Sequence, residues 1–232
     1  NEQPEVFEGI DLQQVTYEYR ADGDDRPFKV GPINFKASKG EMIFIIGGNG
    51  SGKSTFARLL TGLYRPHTGN VFLNGQPMTE LNWPNYRQQF STVFSDFYLF
   101  HQITNGQGQD VPEADIKEWM DRLEMSHKVT QENGRLSDVR YSQGQRKRLA
   151  LLMAVAEQRG CMLLDEWAAD QDPRFRKVFY QQLLPLLKVR GVTVIAITHD
   201  DRYFDAADRI FKMDSGQLTE LDTADKSQAQ QA

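Results

Sequence analysis

Apolar and polar positions along the chain follow distinct periods in different segments. In "IDLQQVTYEYR" apolar residues fall at Ile10, Leu12, Val15, Tyr17 and Tyr19, and alternation returns around Ile33 and Phe35. A period near two puts one face on a core and the other in solvent, so these stretches predict half-buried antiparallel strands. "MIFII" (Met42 to Ile46), "CMLLD" (Cys161 to Asp165) and "VTVIAIT" (Val192 to Thr198) are instead continuous apolar runs. Runs of that kind predict strands covered on both faces, and the helical patterns between them predict a parallel sheet with crossover helices.

Strand signals fade between Phe100 and Arg159. There "VPEADIKEWMDRLEM" sets Pro112 near a helix start and Ile116, Trp119, Met120 and Leu123 at helical spacing. This predicts an amphipathic helix whose apolar stripe is core, within a helical lobe inserted into the α/β body. "RIFKMDSGQLTEL" predicts a hairpin turning at Asp214-Ser215-Gly216, and the polar tail "TADKSQAQQA" predicts disorder.

Composition narrows the class. The 232 residues, 39% hydrophobic and 25% charged, suit a globular, soluble chain of one large domain or two small lobes sharing a core. No apolar run approaches the roughly 20 residues that cross a bilayer, and "NEQPEVFEGI" lacks a signal peptide's basic flank and apolar centre, so the chain is expected in the cytoplasm. The single Cys161 lies in an apolar run and reads as a small buried residue. A net charge of −5 gives no general attraction to nucleic acid, so no nucleic-acid partner is expected and any anion site must be local.

One local site stands out. "GGNGSGKST" (Gly47, Gly48, Asn49, Gly50, Ser51, Gly52, Lys53, Ser54, Thr55) follows a buried strand and precedes "FARLLTGLY". Gly47, four residues, Gly52, Lys53 and Ser54 satisfy the phosphate-loop pattern in its strand-loop-helix context. Glycines let backbone N–H groups turn toward phosphate, and the helix N-terminus adds its positive end. Lys53 would reach the β and γ phosphates of ATP, while the Ser54 hydroxyl would ligate Mg²⁺. After the second buried strand, "LLDEWAADQDP" supplies Asp165 to hold Mg²⁺ and Glu166 as general base. "AITHDD" brings His199 out at the same strand ends, where ligands gather in open α/β sheets, for a γ-phosphate contact.

The order phosphate loop, "YSQGQ", "LLDE", "DQDP", "THD" resembles the nucleotide-binding domain of ATP-binding cassette (ABC) proteins over about residues 10–221. The resemblance implies a P-loop NTPase fold with a mixed, largely parallel core sheet, an N-terminal antiparallel β subdomain and a helical subdomain at about 100–159. It also implies that Ser142, Gly144 and Gln145, on signature positions, bind the γ-phosphate of ATP held by a second copy, in a head-to-tail dimer enclosing ATP. A helix N-terminus with a hydroxyl and exposed amides suits that role, although taken alone "YSQGQRKRLALLMAVA" is equally an ordinary capped helix. Tyr19 falls where the family stacks an aromatic on adenine, and Tyr17 shares its strand face.

Three departures accompany the match. "VFSDFYLF" puts Ser95 where the family has a metal-reaching Gln, so Ser95 is expected to hold Mg²⁺ through water, with Asp96 as the alternative. Gln143 replaces a common Gly. Ala169-Asp170-Gln171-Asp172 replaces the usual Ser-Ala-Leu-Asp, with Asp170 a solvated turn or a charge that alters communication between sites. The basic trio Arg146, Lys147 and Arg148 reads as a solvated helix face.

"DEWAADQDP", "FSDFYLF" and "HDDRYF" look like the branch that exports cyclic or modified peptides, siderophore peptides included, with membrane helices N-terminal on the same polypeptide. That implies a transport ATPase at the cytoplasmic face of a bacterial inner membrane, with peptide cargo. On this reading residues 1–9 are a linker from an upstream membrane domain, 10–221 the cassette and 222–232 a disordered tail. The alternatives are a separate cassette subunit of another transporter and a soluble, non-transport cassette ATPase.

Overall fold

A computed structural model describes residues 5–20, 22–23, 25–100, 102–137 and 140–222. The segment expected to be disordered falls, from 223 on, outside the described residues, as do 1–4 of the N-terminal segment.

In chain order the strands and helices begin with β1 (Gly9–Tyr19), β2 (Phe28–Ser38), β3 (Met42–Ile46), α1 (Lys53–Leu60), β4 (Thr68–Leu73), β5 (Gln76–Pro77), α2 (Trp83–Gln88) and β6 (Phe90–Val93). They continue with α3 (Glu113–Arg122), β7 (Gln131–Glu132), β8 (Arg135–Leu136), α4 (Gln143–Ala156), β9 (Cys161–Asp165), α5 (Pro173–Val178), α6 (Leu184–Val189), β10 (Thr193–Ile197), β11 (Arg209–Asp214) and β12 (Gln217–Glu220). Between α5 and α6 the helix continues as a π turn, Phe179–Leu183. Pro185, which lacks an N–H for the regular ladder, lies two residues beyond it.

The order of the six-stranded sheet is β12-β11-β3-β10-β9-β6, with the five strands from β11 to β6 parallel and β12 antiparallel at the edge. Both faces of its centre are covered, as the continuous apolar runs require. Met42, Phe44, Met162, Leu164, Val194 and Ala196 face the core shared with α3, α4 and α6. Ile43, Ile45, Cys161, Leu163, Ile195 and Ile197 face the opposite core, toward α1 and a four-stranded antiparallel sheet β2-β1-β4-β5. The fold is therefore the expected mixed, mostly parallel sheet flanked by an antiparallel β layer and helices. Phe7 is buried in this second core, and Glu5 accepts hydrogen bonds from Asn74 (3.0 Å) and Asn85 (3.0 Å).

Two local details differ from the periodic pattern. The parity of β1 changes between Leu12 and Val15, where its pairing register shifts and Gln14 takes a left-handed backbone (φ 53°). The extra residue turns Val15 inward on the odd positions after Ile10 and Leu12 on the even ones. The helical lobe also holds a short hairpin, β7–β8, too brief to leave a sequence period.

At the C-terminal hairpin Ser215 and Gly216 both have positive φ (49° and 78°), the primed-turn geometry of a two-residue hairpin. The Gly216 N–H donates to Ser51 O (2.8 Å), and Gly216 O accepts from Gly31 N–H (2.7 Å). A Cβ at Gly216 would lie 2.1 Å from Lys29 O. Replacing Gly216→Val is therefore expected to cost about 2 kcal/mol or more, read by thermal unfolding, and to weaken nucleotide binding because Ser51 loses its backing. An unchanged melting temperature would contradict this.

Candidate active site

Four adjacent parallel strands deliver the candidate residues to one sheet edge. β3 runs into the loop 47–52, β10 into Thr198 and His199, β9 into Asp165 and Glu166, and β6 into Phe94 and Ser95. The registers Ile197↔Asp165 and Val93↔Leu164 bring these strand ends to the same level.

There they enclose an open cleft of about 230 Å³, lined by Tyr19, Gly48 through Thr55, Ser95, Asp165 and Glu166. Gly52 caps α1 in a left-handed conformation, so the first turn of α1 opens directly onto the loop. The Lys53 ammonium donates to the carbonyls of Gly47 and Gly48, the latter at 2.8 Å. Burial lowers the pKa of Lys53, and the nearby Glu166 and Asp165 charges oppose that shift. Ser51 Oγ is buried with no hydrogen-bond partner among the described residues. A buried hydroxyl without a partner is costly, and phosphate oxygens would satisfy it.

Asp165 is 4% exposed, and its pKa is raised first by burial and then by the adjacent Glu166. Ser95 Oγ donates to Asp165 Oδ2 at 3.3 Å. Asp96 turns instead to Arg58, 3.2 Å away, so of the two alternatives for the missing Gln only Ser95 lines the cleft. Glu166 sits in the left-handed region (φ 53°, ψ 37°), a conformation that costs a non-glycine residue roughly 1–2 kcal/mol. Its N–H donates to Ile197 O (2.9 Å), and its Oε1 lies 2.7 Å from His199 Nε2.

Tyr19 borders the cleft at 41% exposure, tilted against Phe28 with ring centroids 5.6 Å apart. Tyr17 is stacked between Tyr64 (4.9 Å) and His67 (4.5 Å), so the two tyrosines of β1 are separated by their partners.

Ser142, Gly144 and Gln145 stand outside this cleft. Ser142 is the N-cap of α4: Gln145 N–H donates to Ser142 Oγ (3.2 Å) while Ser142 N–H donates to Gln145 Oε1 (2.9 Å), a complete capping box. Ser142 and Gln143 are exposed, so the end of α4 faces outward.

The basic trio is not a solvated face. Lys147 is 3% exposed, donates to Glu166 O (2.7 Å) and pairs with Asp170 (2.7 Å). The Arg148 guanidinium covers the Phe175 ring at 3.7 Å and donates to Gln171 Oε1 (2.9 Å). Helical spacing carried the signal: Lys147, Leu151 and Ala154 share one stripe, and its other members are buried.

A family model described as ABC transporter matches residues 30–169. ATP-binding protein SyrD of Pseudomonas syringae is 44% identical over 209 residues, covering 89% of this chain but only 37% of that protein's length. The energy-coupling factor transporter ATP-binding protein EcfA1 of Latilactobacillus sakei is 30% identical over 227 residues, covering 92% of this chain and 78% of that one. Among solved structures, the post-hydrolysis dimer of the cassette MJ0796 with ADP and Pi superimposes with a TM-score of 0.75 at 22% identity, covering 92% of this chain and 99% of that one. A bacterial Atm1-family exporter with ATP bound gives the same TM-score, 0.75, at 23% identity, covering 92% of this chain and 38% of that one. With a phosphate loop, an acidic strand end and this sheet order on one edge, the chain belongs to the ABC transporter family and is one of its ATP-binding ATPase domains.

Proposed function

We propose that this domain hydrolyses ATP with Glu166 as general base, and that it does so as the motor of a membrane exporter of peptide-type cargo. The observation that carries the chemistry is the Glu166 carboxylate, held 2.7 Å from His199 at the mouth of a cleft containing Lys53 and Asp165. A base must stand within hydrogen-bond reach of the water it activates, and a carboxylate fixed on one side by an imidazole keeps its other oxygen for that water.

Lys53 and the loop 47–55 bind the phosphates, and Lys53 exchanges its loop carbonyls for phosphate oxygens. His199 orients both Glu166 and the γ-phosphate. Ser54, Asp165 and Ser95 offer two hydroxyls and one carboxylate, a hard oxygen set that fits Mg²⁺. Bound there, Mg²⁺ would neutralise charge on the transferred phosphate. Tyr19 stacks on adenine.

The second half of the site comes from another copy. Ser142, Gly144 and Gln145 lie on an exposed helix end away from the cleft, which suits a contact across a head-to-tail dimer rather than within one chain.

Peptide export is supported by the likeness of "DEWAADQDP" and "HDDRYF" to that exporter branch and by the 44% identity to SyrD. SyrD is much longer than this chain, in keeping with a transmembrane domain on the same polypeptide, at the cytoplasmic face of the inner membrane. The similarity to EcfA1, 78% of which is covered, favours a second reading as a separate ATP-binding subunit. Sequencing the natural gene upstream of residue 1 decides between them: membrane helices in the same frame support the first.

Exchanging Glu166→Gln should leave ATP binding intact and lower kcat about 10²- to 10⁴-fold, with the ATP-bound dimer accumulating in light scattering. Undiminished turnover would remove the base assignment.

Asp165 gives a test with opposite signs. Its folded pKa is raised, so its contribution to stability is full below the unfolded carboxylate value of about 3.9 and is lost as pH rises through the folded one. At any pH above that folded value the ionised group is therefore a cost to the nucleotide-free domain. Asp165→Asn should raise that domain's melting temperature at pH 7 by about 3 °C, yet lower it relative to wild type once Mg²⁺ and ATP are added. The same order of melting temperatures in both conditions would refute the metal role.

A further inference from the structure

The N-terminal turns of α4 are fastened to the turn that follows β9. Lys147 Nζ donates to Glu166 O (2.7 Å) and pairs with Asp170 (2.7 Å), while Lys147 O accepts from the Trp167 indole N–H (2.7 Å). Gln171 Nε2 donates to Gly144 O (3.0 Å). The backbones approach so closely that a Cβ on Gly144 would sit 2.6 Å from Asp170 O. Asp170 and Gln171, two of the residues that make these bonds, are also two that depart from the family's usual Ser-Ala-Leu-Asp.

A buried ammonium is costly unless a counter-charge and acceptors meet it, and here Asp170 and a carbonyl supply both. That carbonyl belongs to Glu166. With its N–H on Ile197 O, this left-handed residue has both backbone polar groups fixed: the N–H to the strand that leads to His199, and the carbonyl to Lys147 of the helix that begins at Ser142 and, at the longer 3.2 Å, to Ala169 N–H.

We propose that Lys147 is a positioning residue: it sets the Glu166 backbone, and with it the carboxylate, according to where α4 stands. The inference rests on Glu166 as base and on Ser142 meeting the partner copy's nucleotide. Phosphate drawn against the start of α4 then changes the placement of the base in the same chain's own cleft. Each chain thus reads the occupancy of one site and adjusts the chemistry of the other. The coupling is carried by an ion-paired hydrogen bond rather than by diffuse packing.

Steady-state ATPase kinetics of the intact protein test this. Lys147→Met is expected to lower kcat roughly tenfold with KM for ATP within about twofold of wild type, and to bring the Hill coefficient down from above 1 to about 1. Binding of a fluorescent ATP analogue should be retained. Lys147→Arg, which keeps charge and donors, should recover most of kcat and cooperativity. Gln171→Leu, which cuts the two neighbouring bonds to Gly144 and Arg148 but not the Glu166 tie, should stay within about twofold of wild type in kcat. If Lys147→Met does not fold, Asp170→Asn, which removes the counter-charge while keeping an acceptor, should give the same split at smaller amplitude. A wild-type Hill coefficient of 1, wild-type kinetics in folded Lys147→Met, or no recovery in Lys147→Arg would overturn the proposal. Lost turnover in Glu166→Gln beside wild-type kinetics in Lys147→Met would overturn it alone. Wild-type turnover in Glu166→Gln would remove the base assignment first and the proposal with it.

Discussion

Register between β3, β10, β9 and β6 determines where each reactive group of the cleft can stand. Parallel pairing without a shift ends these strands at one level, and each then releases a different chemical group within reach of the same volume. A one-residue slip in any strand would exchange its two apolar faces between two closed cores, so the packing that stabilises the domain also protects the site geometry. Catalytic precision here is inherited from burial on both sides of the sheet.

The cleft concentrates unlike charges that are poorly solvated. Lys53 is buried against loop carbonyls, Asp165 is buried beside Glu166, and Ser51 Oγ has no partner among the described residues. Each of these groups is less well satisfied than it would be against a triphosphate and a divalent cation. Phosphate oxygens placed among these groups would offset their desolvation, so the polar contacts of the loop are where affinity would concentrate.

Much of this was legible in the sequence because the relevant signals are short and periodic. Continuous apolar runs located β3, β9 and β10, and the Gly-rich stretch after the first of them located the cleft. Side-chain reach was harder to read. Tyr17 and Tyr19 share a strand face by parity, and only Tyr64 and His67, distant in sequence, separate their roles. Ser95 was the expected residue with Asp96 as its alternative, and it is the ion pair with Arg58 that takes Asp96 away from the cleft. Lys147 was hidden by its neighbours: three consecutive basic residues read as a solvated face, although a helix sends them in three directions, Lys147 into the core and Arg148 onto the Phe175 ring.

The hydrogen bond from Gly216 to Ser51 joins two segments separated by most of the chain. The floor of the phosphate loop is thus laid by the turn between β11 and β12, which follow the other described elements of the domain in order. During synthesis, the loop emerges early but cannot settle into its final shape until the closing hairpin arrives. Closure of the loop's hydrogen-bonded floor is thereby tied to near-completion of the domain.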